Sequence, residues 1–106
     1  MNFDMQSMLA QAQKMQQEME RIKSDVQKKI VTADSGGGMV TVTMTCSNEI
    51  QKINIAKELI DPEEIEMLED LIVAAINKAT KKAADTVNEE MKSIGGMMPN
   101  IPGLNL

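Results

Sequence analysis

Ile65-Glu66-Met67-Leu68-Glu69-Asp70-Leu71-Ile72-Val73-Ala74-Ala75-Ile76-Asn77-Lys78-Ala79 decides the fold of this chain. Ile65, Leu68, Ile72, Ala75, Ile76 and Ala79 recur at helical spacing, and Leu71 and Val73 widen the apolar stripe. The start of this helix is well marked. Asp61 is a good N-cap, Pro62 suits the first helical position, and Glu63, Glu64 and Glu66 place negative charge at the positive end of the helix dipole. The apolar positions continue through Ala83, Val87, Met91 and Ile94, and Gly95-Gly96 is read as the stop. A face this wide needs a surface to lie on, and the stretch from Met39 to Thr45 looks like part of it. There the residues alternate, with Val40, Val42 and Met44 on one side and threonines on the other.

Two β-prone stretches flank that strand. Ile30 to Ala33 precedes a turn at Asp34-Ser35-Gly36-Gly37-Gly38, and Ile50 to Ile55 follows a turn at Ser47-Asn48-Glu49, with Ile53 and Ile55 read as inward. The three strands make an antiparallel meander. Upstream, Met5, Met8, Ala12, Met15, Met19, Ile22 and Val26 form a heptad seam on a helix over residues 5 to 26. The seam suits either a two-stranded coil or a bed on the sheet and second helix. Its many methionines pack adaptably and define partner geometry poorly, which favours the bed. The expected fold is α+β: helix, three-stranded meander, long helix, in two layers. Met15, Met19, Ile22, Val40, Val42, Met44, Leu68, Leu71, Ile72 and Ile76 are the expected core or dimer-packing residues. At 106 residues the chain has room for one domain, read as 1–94, with 95–106 as a mobile, apolar tail punctuated by Gly and Pro.

Composition narrows the chemistry. A hydrophobic fraction of 42% with 25% charged residues is ordinary for a globular protein. Histidine is absent and Cys46 stands alone, so acid–base catalysis, a transition-metal site and an internal disulfide all lack their usual residues. Phe3 is the one aromatic residue, which leaves no stacking platform for single-stranded nucleic acid. No apolar run is long enough to span a bilayer, and the N-terminus lacks the pattern of a signal peptide. The triple glycine joins two strands and is followed by Met39 rather than Gly-Lys-Ser/Thr, so it reads as a hairpin loop and not as a phosphate cradle. No enzyme activity, cofactor, metal, membrane or small-molecule substrate is expected.

The cations are the residues with something to bind. Net charge is −5, which argues against a nonspecific polycation but leaves room for local patches. Lys14, Arg21 and Lys28 are spaced by seven on the first helix, about 10 Å apart at about 1.5 Å per residue. Glu18 and Asp25 lie between them, and the five read first as a solvated ion-pair ladder, with a phosphate-binding ridge as the alternative. Lys23 and Lys29 fall off the ladder and are read as freer. Lys78, Lys81 and Lys82 form the densest cationic group, partly balanced by Asp85, Glu89 and Glu90, and Lys92 follows.

Several strings together resemble the YbaB/EbfC family of small bacterial nucleoid-associated proteins. They are Gln11-Ala12-Gln13-Lys14-Met15-Gln16, Ser35-Gly36-Gly37-Gly38-Met39-Val40-Thr41-Val42 and, most specifically, Met67 to Ala79. The order of elements and the tail also fit, and the likeness covers nearly the whole chain. Cys46-Ser47-Asn48-Glu49 departs from the usual Asn-Gly turn. The resemblance implies a tight homodimer with protruding arms and binding of duplex DNA with low sequence specificity. It implies a cytoplasmic, nucleoid-associated location, with effects on nucleoid organisation and gene expression, and a recombination or replication protein as a further partner. It supplies no defined DNA-reading residue. The candidates therefore remain Lys14, Arg21, Lys23, Lys28, Lys29, Lys78, Lys81, Lys82 and Lys92, acting on phosphates. The alternative is a protein-recruitment dimer linked to recombination or repair, using the Met-rich seam and apolar tail, with DNA binding incidental.

Overall fold

The structure, a computed structural model, describes residues 5–97; the apolar tail expected at the C-terminus lies almost wholly outside them. Helix α1 spans Met5–Gln27, strands β1, β2 and β3 span Ile30–Ser35, Val40–Thr45 and Ile50–Ile55, and helix α2 spans Ile65–Met97. Two 3-10 turns, Lys57–Leu59 and Pro62–Glu64, lead into α2. The sheet order is β1-β2-β3, antiparallel throughout, so the α+β meander flanked by helices is present as read.

Alternation fixes the centre of the sheet. Val40, Val42 and Met44 are at most 1% exposed on one face of β2. Cross-strand register places Ala33 and Ile53 on either side of Val42, and Ser35 and Ile55 on either side of Val40. β1 runs two residues further than its apolar stretch, because Ser35 continues the strand as a buried residue and donates from Oγ to the carbonyl of Leu71 at 2.6 Å. A buried hydroxyl with a partner costs little, so polarity did not end the strand. Gly36, Gly37 and Gly38 then turn the chain with φ of 60°, 66° and 94°. Gly36 has a second constraint, since a Cβ there would lie 2.9 Å from Leu71 Cδ2. In the next turn Asn48 takes the left-handed conformation at φ 67°, which Asn tolerates better than most residues. Thr45 organises that turn, its N–H donating to Glu49 O at 2.9 Å and its Oγ1 accepting from Glu49 N–H at 3.2 Å.

α2 lies on this sheet through its smallest residues. Ala75, Ala79 and Ala83, one turn apart, are fully buried, and Leu59 from the first 3-10 turn closes the core at 1% exposure. Asp61 caps as expected, accepting from Glu63 N–H at 3.0 Å. Cys46 is buried just beyond β2, its N–H donating to Lys29 O at 2.8 Å.

Three expectations are corrected. Ile53 and Ile55 are only partly covered, with 38% and 36% exposure, because α2 lies principally over β1 and β2. α1 does not bed on the sheet. Of its seam only Val26 is buried, Met15, Met19 and Ile22 are half-buried, and Met5 and Met8 are 81% and 55% exposed. Leu68, Leu71, Ile72 and Ile76 are half-buried and pack against the core around the alanines. Gly95-Gly96 does not stop α2, which continues to Met97.

The chain is long for its size. Its radius of gyration is 21.0 Å, against about 13 Å for a compact body of this many residues. Its extents are 78 × 21 × 16 Å, a helix-on-sheet slab with helical extensions. Replacing Leu59 by Ala is expected to cost about 2–5 kcal/mol in urea unfolding at fixed protein concentration. Asn48→Val is expected to cost about 1–3 kcal/mol from its left-handed backbone. A Leu59→Ala loss well under about 1 kcal/mol would remove that side chain from the core.

Candidate nucleic-acid interface

The wheel of α2, at about 100° per residue, separates two flanks around the buried alanines. Leu71, Lys78, Lys82 and Asp85 fall on the side facing β1, and Ile65, Ile72, Ile76 and Val87 on the side facing β3. On the β1 flank, Lys82 Nζ donates to Thr32 O at 2.8 Å and Lys78 Nζ to Asp34 O at 3.1 Å. The spacing matches because residues four apart on a helix and two apart on a strand both repeat at roughly 6–7 Å. Lys81 points from the same turn toward solvent. Lys78, Lys81 and Lys82, with Ala33, Asp34 and Asp85, line a shallow recess of about 300 Å³ along this edge.

All nine candidate cations are exposed, and the structure sorts them. Arg21 lies between two carboxylates, 2.5 Å from Glu18 and 3.5 Å from Asp25. The hydrogen bond from Arg21, and then its charge, hold the Glu18 carboxyl below the usual carboxylate range, with Lys14 a weaker contributor. The same pair raises Arg21. The ladder therefore exists around Arg21, while Lys14 and Lys28 make no ion pair among the described residues. Lys29, expected to be freer, is paired with Glu90 and ties the end of α1 to α2. Lys23, Lys81 and Lys92 are likewise without an ion pair among the described residues. Two arrangements have no signal in the sequence: the seating of Lys78 and Lys82 on strand carbonyls, and the long-range pairing of Lys29 with Glu90.

The site is thus a row of helix-borne cations on one flank of a thin α+β slab whose other flank is apolar. The chain belongs to the YbaB/EbfC DNA-binding family, whose model matches residues 1–98. It is 46% identical over 98 residues to a nucleoid-associated protein of Acetivibrio thermocellus, covering 92% of this chain and 87% of that one. It is 44% identical over 104 residues to a nucleoid-associated protein of Pelotomaculum thermopropionicum, covering 98% of each. The crystal structure of the uncharacterized protein HP0035 from Helicobacter pylori shares the fold, with TM-score 0.68, 22% identity and coverage of 92% of this chain and all of that one. The family is one of DNA-binding proteins and not of enzymes.

Replacing Arg21 by Gln is expected to raise the Glu18 titration midpoint toward the ordinary glutamate value, read by NMR. Because the folded-state carboxyl titrates below its unfolded value, any stability from the pair is present at neutral pH and is lost as the pH falls through the folded midpoint. An unchanged midpoint would dissolve the pair as an interaction in solution.

Proposed function

We propose that this protein binds duplex DNA as a nucleoid-associated homodimer, with low sequence specificity and mainly through phosphates. The observation that carries the reading is the row of exposed lysines on the β1 flank of α2, with Lys81 directed to solvent and without an ion pair among the described residues. Cations held on a rigid helix can follow a phosphate backbone even though the whole chain is acidic. Arg21 is the chain's one arginine, and it is engaged by Glu18 and Asp25, which leaves the usual bidentate reader of guanine committed elsewhere. Phosphate contacts carry no base information, so low specificity follows. The names of the relatives support the nucleoid as the place of action.

The dimer is supported by what one chain leaves uncovered. Ile50, Ile53 and Ile55 on β3 are 36–41% exposed, Ile65 is 52% exposed, and Ile72 and Ile76 are half-buried beside them. Together these residues make an apolar surface on the flank of α2 that is only partly covered among the described residues, and such a surface is typical of an interface. A second reading, recruitment of a recombination or replication protein, is favoured by the exposed seam residues Met5 and Met8, with Leu9 exposed beside them.

Log affinity for duplex DNA against log salt should fall with a slope of about −0.9 per phosphate neutralised. Replacing Lys78, Lys81 and Lys82 together by Gln should flatten that slope and weaken binding equally on unrelated sequences. A salt-independent affinity, or a triple variant that binds like the parent, would favour the recruitment reading. Sedimentation at low micromolar concentration should give twice the 11.7 kDa chain mass, and a stable folded monomer would overturn the dimer.

A further inference from the structure

The outer edge of β1 is closed in an unusual way. Cys46 N–H donates to Lys29 O, and the register pairs Ile30 with Thr45. Backbone groups alternate along a strand, so Lys29, Val31, Ala33 and Ser35 face β2, while Ile30, Thr32 and Asp34 present N–H and C=O outward. An outward row of this kind is a template for a further strand. Its carbonyls at Thr32 and Asp34 are taken by Lys82 and Lys78, side chains of the helix above. The same lysines belong to the cationic row read above as a phosphate contact, so one pair of side chains has two competing acceptors.

We propose that the outer edge of β1 is a pairing site for β1 of a second copy, that Lys78 and Lys82 hold it shut, and that DNA phosphates open it by drawing these lysines away. The release step rests on the DNA-binding reading; the clamp does not. A second copy is the occupant that fits. Antiparallel self-pairing centred on Thr32 sets Thr32 against Thr32 and Ile30 against Asp34, so no like charges meet across the strands. It also covers Ile30, which is 58% exposed at this edge. Because α2 lies over β1 and β2, two copies paired here bring their α2 helices to about 10 Å, one helix-packing distance. Their lysine rows then face one another and repel unless a phosphate backbone lies between them. Phosphate therefore both frees the edge and neutralises the seam that pairing creates. The β1 edge is separate from the apolar flank on the β3 side. Two self-complementary surfaces on one chain alternate into an open array, so the assembly would grow along DNA.

The test uses the full chain. Lys78→Gln combined with Lys82→Gln removes the charged clamp and the seam repulsion. Thr32→Pro blocks pairing without breaking the β1–β2 ladder, because the Thr32 N–H faces outward. Thr32→Lys keeps that N–H and instead sets like charges against each other, so it serves if the proline variant fails to fold. Without DNA, sedimentation of the double glutamine variant should show mass rising with concentration beyond the parent's state, and adding either Thr32 change should restore the parent's mass. A double variant that keeps the parent's mass overturns the clamp. On a short duplex at low salt, the parent should form complexes of higher mass than the Thr32 variants at matched DNA occupancy. Equal masses overturn the release step. A parent that binds no duplex overturns the DNA reading and the release step together, while the DNA-free comparison still decides the clamp.

Discussion

The contact of three alanines with a two-strand surface governs this molecule. Ala75, Ala79 and Ala83 have no bulk beyond Cβ, so α2 sits close to β1 and β2 and its larger residues are pushed to the two sides. With leucines at those positions the helix would ride higher and its flanks would spread over all three strands. The close seat gives each flank a distinct neighbour. One brings lysines within hydrogen-bond reach of β1 carbonyls, and the other leaves isoleucines of α2 beside the partly covered isoleucines of β3.

The two flanks differ in how they meet water. Long lysine side chains lay their methylenes along the protein and deliver the ammonium to an edge, so this side is finished within one chain. The isoleucine side has no such device. Burying apolar surface there is worth roughly 25 cal/mol per Å² removed from water, and within one chain that contribution is only partly made. The 78 Å length and 16 Å thickness follow from helices that extend beyond a two-layer slab.

Elements with strict local periodicity were legible from residues alone. Val40, Val42 and Met44 alternate because β2 is central, and Asp61-Pro62 caps because orphan N–H groups need an acceptor. For Ile53 and Ile55, alternation identifies which face a residue joins, not whether a helix is wide enough to cover that strand. For the seam of α1, a heptad says that a helix wants a partner without saying that the same chain provides one. Gly95-Gly96 is a local stop signal that α2 overrides by continuing through it. Of the candidate cations, the sequence showed the charge neighbourhood of Arg21, whose partners lie within one turn. It could not show Lys29 with Glu90, or Lys78 and Lys82 on strand carbonyls, because those contacts depend on how α2 crosses the sheet.

Cys46 gives the molecule a built-in clock. It is the chain's single thiol, 6% exposed, and its backbone closes the last rung between β1 and β2. A disulfide reagent can reach the sulfur only when that rung and the packing around it open, and only the thiolate reacts. The labelling rate at fixed pH therefore reports how often the end of the sheet beside Lys29 comes apart, with no probe added to the chain. Since Lys29 also anchors α1 to α2 through Glu90, the same rate reads how firmly the first helix is moored to the rest of the protein.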